Sequence, residues 1–66
     1  MKLSAFDPDD ETLRVAIELW KSTWISSVVL GSLDDEGRAL VTIELSEDWE
    51  RSPVGARQWL AGSAFK

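Results

Sequence analysis

Apolar side chains recur at helical spacing early in the chain. Leu13, Ala16, Ile17, Trp20 and Trp24 fall at i, i+3, i+4, i+7 and i+11, the stripe of an amphipathic helix. Arg14, Glu18 and Lys21 lie off that stripe, and Val15 and Leu19 widen it on one flank. The start of this helix is marked by Asp7-Pro8. Asp7 suits the N-cap, Pro8 the first helical position, and Asp9, Asp10 and Glu11 the positive end of the helix dipole. The helix is expected to run to residues 22–24.

The pattern then changes period. Residues 25–33 are rich in strand formers (Ile25, Val28, Val29, Leu30), and their serines interrupt helical continuity. From residue 38 to residue 45 the alternation is clean: Ala39, Val41, Ile43 and Leu45 share one face, Arg38, Leu40, Thr42 and Glu44 the other. Asp34-Asp35-Glu36-Gly37 joins the two runs, and Gly37 can take the left-handed conformation that closes a hairpin. Val28 and Leu30 are placed on Leu40's side of that hairpin. Residues 1–6 are either a short strand or an ordered arm. Residues 46–51 read as a loop or single turn around Trp49, and Ser52-Pro53 starts a second, shorter helix that Gly62 stops. Residues 63–66 are a tail unless Phe65 returns to the core. The expected fold class is α+β. A helix, a β-hairpin and a short helix form one domain over residues 1–66, with the N-terminal strand as an option. The helices cover one face of an antiparallel sheet.

Size limits the core: a chain of 66 residues buries only about 60% of the surface its unfolded form exposes. Disulfides cannot compensate, because there is no cysteine, and with no histidine either a zinc site is nearly excluded. The four tryptophans, Trp20, Trp24, Trp49 and Trp59, are the natural anchors, each able to bury roughly 150–250 Å². Trp20 is assigned to the core. Trp49, among Glu47, Asp48, Glu50 and Arg51, either anchors a partner or lids the core. The first residues lack the apolar stretch of a leader, and residues 24–33 fall short of the ~20 apolar residues a spanning helix needs. A cytoplasmic, soluble protein without a membrane partner is expected.

Little points to catalysis. Histidine, cysteine and tyrosine are all absent, removing most acid–base and nucleophilic chemistry near neutral pH. Asp9-Asp10 and Asp34-Asp35 resemble acid–base pairs, but helix starts and hairpin tips are solvated, whereas such chemistry needs one carboxyl desolvated. Asp34-Asp35-Glu36-Gly37 lacks the spacing of a calcium loop. The eight serines have no histidine base, and the glycines form no phosphate-binding loop. No enzyme, catalytic residue, metal or cofactor is expected.

Charge carries the functional reading. Twelve acidic residues stand against seven basic ones, for a net charge of −5. All twelve acids precede residue 51, leaving residues 1–50 at −8 and residues 51–66 at +3. Such a surface repels nucleic acid but attracts proteins that hold nucleic acid. Each acid could simply cap a helix or solvate a turn. Taken together, carboxylates on a rigid scaffold can also imitate the phosphates of a duplex. The candidate partner-binding residues are the tip group Asp34, Asp35 and Glu36, then Glu44, and the loop group Glu47, Asp48, Trp49 and Glu50.

In size, acidity, absence of His and Cys, and mixed α/β pattern, the chain resembles the small inhibitors that phages direct against host defence, anti-CRISPR proteins among them. The resemblance is to a class and implies a non-enzymatic DNA mimic. Such a protein blocks the nucleic-acid-binding surface of a basic protein or complex, such as a CRISPR effector, as a monomer or weak homodimer. The alternative is a structural or assembly module, a homodimer or small subunit joined through the Leu40 sheet face and Trp49. A two-stranded sheet with an open edge also invites strand addition.

Overall fold

In the computed structural model, residues 1–32 and 37–66 are described. The elements are β1 (Lys2–Phe6), α1 (Asp10–Lys21), β2 (Ile25–Ser32), β3 (Ala39–Leu45), a 3₁₀ turn (Trp49–Arg51) and α2 (Val54–Gly62). The fold is α+β, and the N-terminal residues form a strand. β3 is central, in the order β1-β3-β2, and pairs antiparallel with both neighbours. β1 and β2 therefore run parallel, with α1 as their crossover and β3 inserted between them.

The alternation in β3 appears as read. Val41, Ile43 and Leu45 are buried on the face that α1 and the C-terminal segment cover. Leu3 and Ala5 of β1 lie opposite Ile43 and Val41. In β2 the register slips at Ser26: Ile25 pairs with Leu45, but Ser27 already pairs with Glu44. This β-bulge inserts one residue and reverses the parity of the strand beyond it. Val28 and Leu30 consequently lie opposite Ile43 and Val41 on the helix side, and it is Val29, opposite Thr42, that shares Leu40's face. Strict alternation places these residues the other way round; the bulge corrects it.

α1 begins one acid later than Asp7 suggests. Asp9 is the N-cap, its Oδ1 accepting the Thr12 N–H at 2.8 Å. Asp7 instead takes a left-handed conformation (φ 44°). Its N–H donates to the Ala39 carbonyl at 2.9 Å and its Oδ1 accepts the Ala39 N–H at 2.8 Å. It thus closes the β1–β3 ladder where β3 starts. At the other end Thr23, also left-handed (φ 69°), closes a Schellman motif. Its N–H bonds to the Trp20 carbonyl at 3.2 Å, and the Trp24 N–H bonds to that of Leu19 at 3.1 Å.

The face α1 buries is rotated from the expected stripe. Ala16 is fully buried, with Leu13 and Leu19 packed against the core, while Ile17 and Trp20 are 40% and 46% exposed. A methyl at the closest approach lets the helix lie near the sheet, where an indole would hold it off. The core is accordingly aliphatic: Ala5, Ala16, Ile25, Val41, Ile43 and Leu45 with Phe65. No tryptophan is among its fully buried members; Trp49 and Trp59 pack against its edge. Phe65 returns to the core, its ring 6.0 Å from that of Trp59. Lys66 then exchanges two backbone bonds with Ser4, at 3.0 and 2.9 Å, on the outer edge of β1. α2 starts as expected within one residue, with Pro53 at its cap and Ser52 buried before it.

Candidate acidic interface

The turn after β3 holds the loop group in a fixed geometry. The Ser46 N–H donates to the Trp24 carbonyl at 3.1 Å, tying the turn to the end of α1. The Trp49 N–H donates to Ser46 at 3.1 Å, and Arg51 N–H to Asp48 at 2.8 Å. The buried Ser52 donates its N–H and its hydroxyl to the Trp49 carbonyl, at 3.0 and 2.6 Å. Trp49 is half-buried against the core. With the indole turned inward, Glu47, Asp48 and Glu50 are exposed. Among the described residues these three form no ion pair within 4.0 Å.

Glu44 stands apart from that group. It lies on the open face of the sheet opposite Lys2 and Ser27. Its carboxylate is 4.0 Å from Lys2 Nζ and accepts a long bond, 3.5 Å, from the Ser26 hydroxyl. An exposed pair at that distance contributes little to stability, but it offsets part of the local charge. The tip group Asp34, Asp35 and Glu36 lies outside the described residues. Gly37, which follows it, has φ 77°, the left-handed conformation expected of it.

The N-terminal acidic run divides by role. Asp7 and Asp9 are engaged locally, by Ala39 and Thr12. The Thr12 hydroxyl and then the Thr12 amide hold the Asp9 carboxyl below its ordinary value of 3.8. Asp10 and Glu11 are exposed on the first turn of α1. Because Asp7 bonds to Ala39, this run sits where β3 begins, and the loop group sits where β3 ends. The seven residues of β3 separate them by about 20 Å. The molecule is elongated, 39 × 19 × 18 Å.

Other chemistry is sparse. Among the described residues no three Asp or Glu side chains gather as metal ligands. An open hollow of about 320 Å³ lies against Ile17, Trp20 and Lys21, with no carboxylate in its lining. Among the described residues no helix is long and apolar enough to cross a membrane. The exposed Ile17–Trp20 flank of α1 escapes the sequence reading, whereas the open sheet edge expected from the sequence is that of β2. That edge has a sequence signal, since residues 25–32 contain no charge.

No protein-family model, no curated protein and no solved structure matches the chain.

Proposed function

We propose that this chain is a non-enzymatic acidic binding protein that occupies the nucleic-acid-binding surface of a basic partner, as a DNA mimic of the anti-CRISPR kind does. The observation that carries the reading is the loop group. Glu47, Asp48 and Glu50 project from a turn fixed by Trp49 and Ser52, without a cationic partner among the described residues. Asp10 and Glu11 add charge at the far end of β3. Fixed carboxylates cost little ordering entropy on binding, and their summed field steers a basic partner into encounter. Exposed carboxylates are poor acid–base catalysts, which favours binding over chemistry.

A competition experiment tests this. A CRISPR effector complex is loaded with fluorescent duplex DNA, and the chain is titrated in. Displacement of the duplex is expected. The variant Glu47→Gln/Asp48→Asn/Glu50→Gln should require about tenfold more protein, since exposed charge contacts are individually weak but sum over three sites. The variant Asp34→Asn/Asp35→Asn/Glu36→Gln tests the tip group in the same assay. Displacement unchanged in both folded variants contradicts the proposal.

The assembly reading retains one supporting observation, the exposed apolar residues on and beside the sheet. Trp49, packed inward, is poorly placed to be its anchor.

A further inference from the structure

We infer that the free edge of β2 is a self-pairing surface, through which two copies of this chain join their sheets. The hydrogen-bond phase of the sheet identifies the groups on that edge. Leu45 N–H bonds to the Met1 carbonyl and Asp7 N–H to that of Ala39, so the odd-numbered residues of β3 bond toward β1. Those at 40, 42 and 44 then bond toward β2, where they face Gly31, Val29 and Ser27. The alternate residues Val28 and Leu30 therefore direct their N–H and C=O groups away from the sheet. No backbone group of another described residue outside β3 bonds to them.

This edge lacks the usual protections against pairing. It has no proline and no charge over Ile25–Ser32, and its bulge lies near one end, at Ser26. It is also self-complementary. An antiparallel copy centred on Val29 sets Val28 opposite the second Leu30 and Leu30 opposite the second Val28. All the outward groups then meet, and Val29 faces Val29 as a non-hydrogen-bonded pair. Val28 and Leu30 share the helix side, so their counterparts meet on that side too. The result is a six-stranded sheet in which both α1 helices lie on one face.

The exposed apolar side chains follow the same geometry. Leu30 is 69% and Val29 58% exposed. α1 packs on the sheet chiefly through β2, and its exposed flank carries Ile17 and Trp20. Pairing at β2 would cover Val29 and Leu30 on the two faces of the joined sheet. A standard interface takes about 800 Å² per partner, against the chain's accessible surface of 4635 Å². Charge argues for a second copy rather than a basic protein at this site. A chain of net charge −5 repels itself generally, and β2 is the strand where self-contact opposes no charges.

Cysteine cross-linking tests the pairing, because the chain contains no cysteine of its own. In Val29→Cys the two thiols would meet across a non-hydrogen-bonded pair with Cα atoms about 4.5 Å apart, within disulfide range. Mild oxidation should yield a covalent dimer of twice 7.4 kDa. Val54→Cys, 59% exposed on α2, should yield far less. Sedimentation of the unmodified chain should show a reversible dimer that tightens as salt rises, the reverse of binding to a basic partner. Val29→Lys should make it monomeric with an unchanged far-ultraviolet spectrum. Leu30→Lys is the second variant should Val29→Lys fail to fold. A chain that stays monomeric at all concentrations, a dimer that survives both lysine variants, or equal cross-linking at 29 and 54 would overturn the inference.

Discussion

Thr23 is a β-branched residue holding a position that favours glycine, and replacing it should stabilise the fold. Its φ of 69° closes α1 through bonds of 3.2 Å to the Trp20 carbonyl and, from Trp24, 3.1 Å to the Leu19 carbonyl. An L-residue in this region costs about 1–2 kcal/mol. Thr23→Gly removes that cost but gives the unfolded chain more freedom, a loss of about 0.4–1 kcal/mol. The central net gain is therefore about 0.8 kcal/mol, within limits of about 0–1.6 kcal/mol. In a domain of 66 residues this raises Tm by roughly 2–8 °C. The assay is thermal and urea unfolding followed by tryptophan fluorescence, with Thr23→Val as a control that keeps the branching and should gain nothing. A glycine variant no more stable than the parent would refute the left-handed cap and the junction it makes between α1 and β2.

Other outcomes follow from single groups. Ser46 Oγ is buried without a hydrogen-bond partner among the described residues, so Ser46→Ala should stabilise by about 1 kcal/mol in urea titrations, the desolvation penalty being removed. Asp9 has a lowered folded pKa, so its contribution is fully present above its ordinary value of 3.8 and fades as pH falls through the lowered one. Asp9→Asn preserves the cap acceptor without titrating. The stability difference between parent and variant should therefore change over that acidic interval and stay flat above it, as read from urea midpoints.

Much of the fold is legible in the residues because local signals agree with packing. The clean alternation at Val41, Ile43 and Leu45 identifies the central strand, and Ser52-Pro53 marks the second helix within one residue. The departures have specific causes. Two aspartates near one helix start are interchangeable by propensity; only the pairing of Asp7 with Ala39, 32 residues away, assigns the cap to Asp9. Hydrophobicity alone points Trp20 inward, whereas the closeness of α1 to the sheet favours Ala16 and leaves the indole outside. The bulge at Ser26 leaves no mark that strict alternation would detect, yet it decides which side of β2 every later residue occupies. For the candidate interface, the sequence marks the charges but not their local use. Asp7 and Asp9 use their carboxylates to hold the fold, while those of Glu47, Asp48 and Glu50 form no ion pair among the described residues.

The most direct test of the carboxylate field is the salt dependence of affinity for a basic effector. The logarithm of the association constant should fall steeply and linearly with the logarithm of salt concentration, as it does for phosphates in the same channel. The slope should become shallower when Glu47, Asp48 and Glu50 are replaced by their amides. A slope near zero, or one identical in parent and variant, would contradict the account.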